Sequence, residues 1–209
     1  MKNKLKYIIP SIITLLPMFF GMLVWDKLPE KIPTHFGLNG EADGFSGKFG
    51  AVFSFPLIFF LIYWLLVFVE TKIGKAENNK KMQNLVLYII PFISLIINGC
   101  IYTIALGKEV KIELVFSVFF SIMFIVIGNY LPKCKQSKTV GIKLPWTLKS
   151  EENWNATHRL AGKVWVSCGF VWLIFGLLFP QGIVCSPIII FIAVIIPTIY
   201  SYLYSKKEK

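Results

Sequence analysis

Charge is scarce in this chain. Only 16% of its 209 residues are Asp, Glu, Lys or Arg, against about a quarter in an ordinary soluble domain. Five stretches hold no ionisable Asp, Glu, Lys, Arg or His: 7–25, 49–69, 82–107, 114–132 and 164–205. Proton-coupled pumps rely on carboxylates within the membrane, so their absence argues against one. Histidine is limited to two residues and cysteine to four. No CxxC or Cys/His spacing occurs, so neither a zinc site nor a disulfide framework is indicated. A membrane hydrolase would need a nucleophile and base, or a metal set, on one side of the bilayer. The residues offer neither, and no cofactor is expected.

What is present is apolar length. A bilayer-crossing helix needs about 20 mainly apolar residues. Four of the runs supply one span each. The fifth supplies two, broken near Phe179, Pro180, Gln181 and Gly182, where proline and glycine stop a helix and allow a turn. The expected fold is all-α: a polytopic membrane protein of six transmembrane helices. The first run follows Lys2, Lys4 and Lys6, but it exceeds the apolar core of a signal peptide and no small-x-small cleavage site precedes Asp26. It is expected to be retained as a helix.

Seventeen of the 22 basic residues fall in the N-terminal tail, in 70–84, in 132–163 and in the C-terminal tail; five fall in the alternate segments. That bias predicts both termini in the cytoplasm, in a multi-pass protein of the cell membrane. The net charge of +11 then reads as topology and attraction to anionic lipid. Spread over four segments, it argues against a nucleic-acid partner. Asn98, beside Gly99, is the most central polar side chain of the spans and is expected to bond between helices. Glu70 and Glu113 stand at span ends, where water is expected to reach them. Pro10, Pro17, Pro56, Pro91, Pro187 and Pro197 are candidate kinks.

Two polar segments interrupt the runs. The first, 25–50, is predicted to lie outside. Pro29 and Pro33 favour extended backbone, and Gly37, Gly40, Gly44, Gly47 and Gly50 allow turns, with Asn39-Gly40 a strong turn signal. His35, Glu41 and Asp43 carry metal-ligating atoms, but without ligand spacing; a hydrogen-bonded structural His35 is the expectation, and no metal. The second, "KLPWTLKSEENWNATHRLAGKVW" at 143–165, holds three of the six tryptophans, the lone arginine and one histidine. Ser150 is a fair helix N-cap, followed by Glu151 and Glu152 at the positive helix end. Trp154, His158, Ala161 and Trp165 share one helical face. This predicts a surface helix feeding the fifth span. Trp146, Trp154 and Trp165 read as interface anchors, with His158 half-buried and Arg159 turned toward water and headgroups. A guanidinium grips carboxylate or phosphate with a planar fork that Lys cannot copy; codon usage alone is the other reading of a single Arg.

At these residues the sequence resembles a known family. "GNYLPKCKQSKTVGIKLPWTLKSEENWNATHRLAGKVW", 128–165, resembles the hallmark of the SdpI family of bacterial membrane immunity proteins. Asn129, Pro132, Pro145, Trp146, Thr147, Trp154, Thr157, His158 and Gly162 stand in family positions. "LPEKIPTHFGLNGEADG", 28–44, with Pro33, His35, Gly37, Gly40, Asp43 and Gly44, resembles the short domain of unknown function that often precedes it. The resemblance implies two parts: 1–75, a two-helix unit with the external LPxxIPxHFG loop, and 76–209, a four-helix membrane domain with the cytoplasmic loop 132–163. It also implies immunity to a secreted membrane-active toxin peptide, with a cytoplasmic transcriptional repressor as a second partner beside the lipid bilayer. A small-molecule permease is the rival class; it needs polar groups lining a path, and the spans offer only Asn98 and scattered Ser, Thr and Tyr.

Overall fold

In the computed structural model, residues 2–37, 40–73, 80–179 and 182–207 are described. Six long helices dominate: α1 (Lys2–Leu23), α2 (Phe55–Ile73), α3 (Lys80–Ala105), α4 (Ile112–Tyr130), α5 (Glu151–Leu178) and α6 (Ser186–Lys207). All six are long and apolar enough to cross a membrane. Their outward side chains are themselves greasy: Ile12, Leu61, Ile188 and Phe191 are each more than half exposed. In water such faces would be a liability; against lipid they are the expected surface, because each helix satisfies its own backbone.

The chain forms two compact units, Met1–Lys72 with Gln83–Ile112, and Ile73–Met82 with Glu113–Lys209. The sequence-based division at 75/76 follows the motifs; by contacts α3 from Gln83 onward falls in the first unit.

In the first unit, segment 25–50 is more ordered than a turn-rich loop. Strands β1 (Lys31–Phe36) and β2 (Ala42–Gly47) pair antiparallel, with register shifts around His35. Ile32 is fully buried and joins Leu28, Ala51, Val52, Ile101 and Tyr102 in one apolar cluster, which seats the hairpin on α3 and the entry to α2. That entry is a π-helical turn, Gly50–Ser54, closed by the Phe55 N–H on the Gly50 carbonyl. One residue beyond it stands Pro56, whose missing N–H a widened turn accommodates. Pro187 stands at a helix start, where proline is tolerated; Pro10, Pro17, Pro91 and Pro197 lie inside helices.

Two expectations in this unit are corrected. Asn98 is fully buried but donates to the Ser94 carbonyl of its own helix at 2.8 Å; the interhelical bond is Ser94 Oγ to the Thr14 carbonyl, 2.9 Å. Glu70 is not a freely hydrated end group. Its Oε1 pairs with Lys6 Nζ at 2.9 Å, and its side chain is only 13% exposed. Tyr63 donates to the Tyr7 carbonyl at 2.9 Å nearby, so both contacts tie α2 to the start of α1.

In the second unit, α5 is one continuous helix of 28 residues, not a surface helix followed by a span. At 1.5 Å per residue it is about 42 Å long, well beyond the ~30 Å hydrocarbon layer, so one end projects. Its other end closes at Phe179; Pro180 and Gln181, where the break was expected, lie outside the described residues. Gly162, Gly169 and Gly176 recur every seventh residue of α5 and face α4. A Cβ at Gly162 would stand 2.6 Å from Pro132 Cγ, at Gly169 2.9 Å from the Ser121 carbonyl oxygen, and at Gly176 2.5 Å from Ser117 Cβ. A seven-residue repeat keeps one seam facing its partner, and small residues on that seam let the backbones approach. Beside it, Phe124, Cys168, Trp172, Ile189 and Ala193 form the core shared with α6.

Candidate functional site

The sequence-predicted residues form two groups, one in each unit. In the hairpin, His35 Nδ1 pairs with Asp43 Oδ1 across the strands, and both side chains are largely exposed, 75% and 55%. Gly44 stands opposite His35 in the register, and a Cβ there would lie 2.7 Å from His35 Cβ. Gly37 donates to the Glu41 carbonyl and Gly40 to the Gly37 carbonyl, each at 2.9 Å. Gly40 has φ +77°, a conformation that suits glycine; its neighbour Asn39 lies outside the described residues. Pro33 pairs with Phe45. Its missing N–H is tolerable in a two-stranded ribbon. The motif therefore builds a hairpin that holds a His–Asp pair at its surface.

The second group is a folded cap. Segment 131–150 is stapled to α5 and α6 by side-chain bonds to backbone. Trp154 Nε1 donates to the Cys134 carbonyl at 2.7 Å, and its ring stacks on His158 with centroids 4.0 Å apart. His158 Nε2 accepts from the Ile142 N–H at 2.9 Å, while Nδ1 meets the Trp154 carbonyl at 2.8 Å. Gly141, at φ +120°, lies flat against that stack; a Cβ would come within 2.6 Å of the Trp154 ring and 2.7 Å of His158 Nε2. Thr147 Oγ1 donates to the Ile142 carbonyl and accepts from the Leu144 N–H, and its own carbonyl accepts from Gln136 Nε2 at 2.7 Å.

The tie to α6 runs through Ser201. Asn153 Nδ2 donates to its carbonyl at 3.0 Å, and Ser201 Oγ donates to Asn153 Oδ1 at 3.2 Å. Thr157 donates to the same Asn153 oxygen, and Trp146 Nε1 donates to Ser201 Oγ. The Ser150 N-cap is in place, accepting from the Asn153 N–H. Burial pushes the Cys134 thiol up to about 11.

This geometry corrects the anchor reading for Trp154 and the half-buried reading for His158. Trp154 is completely buried and His158 is 1% exposed; both belong to the cap's core. Trp165 is part-buried and donates to the Ala193 carbonyl at 3.0 Å, and Trp146 is part-buried. Arg159, Asn129, Pro132 and Pro145 are exposed, and Arg159 has no ion pair among the described residues. Gly162 packs on Pro132. Lys163 and Ser167 escaped the sequence reading. They line a groove with Gly128, Asn129, Pro132, Gly162 and Val166, and their four-residue spacing from Arg159 and Lys163 was the available signal.

Six apolar helices and a long extramembrane segment folded onto two of them define a multi-pass integral membrane protein. The chain belongs to the SdpI/YfhL protein family. The model of that family matches residues 133–201, and that of a domain of unknown function, DUF1648, matches residues 12–60. The chain is 32% identical over 208 residues to "Immunity protein SdpI" of Bacillus subtilis (strain 168), covering 97% of each. No solved structure matches.

Proposed function

We propose that the chain is an immunity protein that protects its cell from a secreted membrane-active peptide by binding rather than by catalysis. The observation that carries this reading is the likeness to an immunity protein over 97% of both chains, with the cap's hydrogen-bonding residues in the matched region. Six spans leave both termini on one side; the basic bias assigns that side to the cytoplasm. The hairpin then faces outward, where such a peptide arrives, and offers His35 and Asp43. The cap faces inward and offers Arg159 to an intracellular partner; sequestration of a transcriptional repressor there is the extension of the same reading.

The permease alternative rests on a buried polar row in α3, Ser94, Asn98 and Tyr102. Ser94 and Asn98 bond to backbone, which suits helix packing. The test is expression in a strain sensitive to secreted peptide toxins. Protection at confirmed membrane expression supports the reading. Unchanged sensitivity to every peptide of a panel that kills the host overturns it.

A further inference from the structure

We propose that the groove between α4 and α5 seats the phosphate headgroup of an anionic phospholipid. The groove has a volume of about 490 Å³ and is lined by Gly128, Asn129, Pro132, Gly162, Lys163 and Ser167, with Val166 at its wall. Two of its lining residues are glycines at a tight helix contact. Gly128 packs closely on Trp165 and Val166, and Gly162 on Pro132 and the Gly128 carbonyl, and the groove runs beside that close contact.

Depth decides what enters. The charge-free part of α5 begins at Val164, and that of α4 ends at Pro132. Both helices therefore cross from hydrocarbon into the polar layer at the level of the groove, where phosphates lie. A lysine at a span end extends its ammonium to that layer.

Charge decides the sign. Lys163, Asn129 and Ser167 are exposed at the lining and supply an ammonium, an amide N–H and a hydroxyl, the donors a phosphodiester accepts from. Arg159 stands one turn back from Lys163 on the same face of α5 and is also exposed. Lys133 closes the 3-10 turn that follows α4, its ammonium over the Tyr130 ring. The acidic side chains among the described residues of this unit are Glu113, Glu151 and Glu152, and none lines the groove. The carbonyl end of α4 carries partial negative charge; the basic residues outweigh it. A lipid satisfies the groove at both ends, with its phosphate on Lys163 and its chains along the apolar faces below.

The experiment uses purified full-length protein in nanodiscs of phosphatidylcholine with one part in five phosphatidylglycerol, with co-purified lipid counted by native mass spectrometry. The wild type is expected to retain phosphatidylglycerol preferentially. Lys163→Ala is expected to lower that preference about fivefold, and Asn129→Leu to lower it too with Lys163 intact. Lys149→Ala, an exposed lysine away from the groove, should change nothing. Equal losses in Lys163→Ala and Lys149→Ala would mean diffuse surface attraction and overturn the proposal. So would displacement of the lipid by millimolar inorganic phosphate, which would mean a site for a free anion, or a preference unaltered in both groove variants.

Discussion

His158 Nε2 accepts the backbone N–H of Ile142 at 2.9 Å, across sixteen residues of sequence. With Nδ1 on the Trp154 carbonyl, the hydrogen-bond network assigns the proton to Nδ1 and leaves the ring neutral. A segment with no helix or strand of its own beyond the short 3-10 turn Leu131–Lys133 is thereby held in register on α5. His158→Ala strands the Ile142 N–H, at a cost of about 1–3 kcal/mol. Limited proteolysis should show new cleavage within 134–149 while α1–α4 stay intact. An unchanged cleavage pattern would contradict the staple.

The glycine seam makes a position-specific prediction. Gly169→Ala puts a methyl 2.7 Å from Ile125 Cγ1 and 2.9 Å from the Ser121 carbonyl, and overpacking of this kind costs about 1–3 kcal/mol. Gly99 in α3 has nothing within 4 Å of its Cβ position, so Gly99→Ala should be neutral. Thermal unfolding of the two variants in the same detergent compares them directly.

Lys6 and Glu70 tie α1 to α2 by a partly buried pair, 28% and 13% exposed. Glu70→Gln and Lys6→Met should each destabilise by about 1–3 kcal/mol, between surface and buried pairs. The reversed pair Lys6→Glu with Glu70→Lys should recover part of the loss. If the reversed pair is no better than either single change, the contact contributes little.

Cys134 supplies a pH dependence. Its thiol is raised by burial from 9.0 to about 11, so the folded cap favours the neutral thiol. That preference stabilises the cap fully below pH 9 and is lost as pH rises toward 11. Iodoacetamide, which reacts with thiolate, should label Cys134 slowly at pH 8 and faster than the thiolate fraction alone predicts between pH 9 and 11, as the cap loosens. Prompt labelling at pH 8 would contradict a closed cap.

The spans were legible because charge-free length is a one-dimensional signal, and the Ser150 cap because capping is local. The hairpin was legible only as extended backbone at Pro33 and turns at the glycines, because the force that pairs its strands is burial of Ile32 against the distant Ile101 and Tyr102. Trp154 was misplaced for a related reason. Tryptophan suits both a lipid interface and a core, and what decides here is the carbonyl of Cys134, twenty residues away. The seven-residue glycine spacing was visible in the sequence; its partner face on α4 was not.

Function should separate from stability at the exposed residues. Arg159→Lys keeps the charge but loses the fork, and His35→Ala removes an exposed pair worth under about 1 kcal/mol. Both variants should fold and insert normally. Reduced toxin protection in His35→Ala would place recognition at the hairpin, and reduced reporter induction in Arg159→Lys would place signalling at the cap. Full activity in both would remove these two residues from the functional surface.

The immunity reading requires the hairpin outside and the cap inside, and cysteine accessibility tests that most directly. In a variant lacking the four native cysteines, Phe45→Cys and Lys149→Cys each place one thiol at an exposed position. An impermeant maleimide applied to intact cells is predicted to label Phe45→Cys, and to label Lys149→Cys only after the membrane is opened. Labelling of Lys149→Cys but not Phe45→Cys in intact cells would contradict the account.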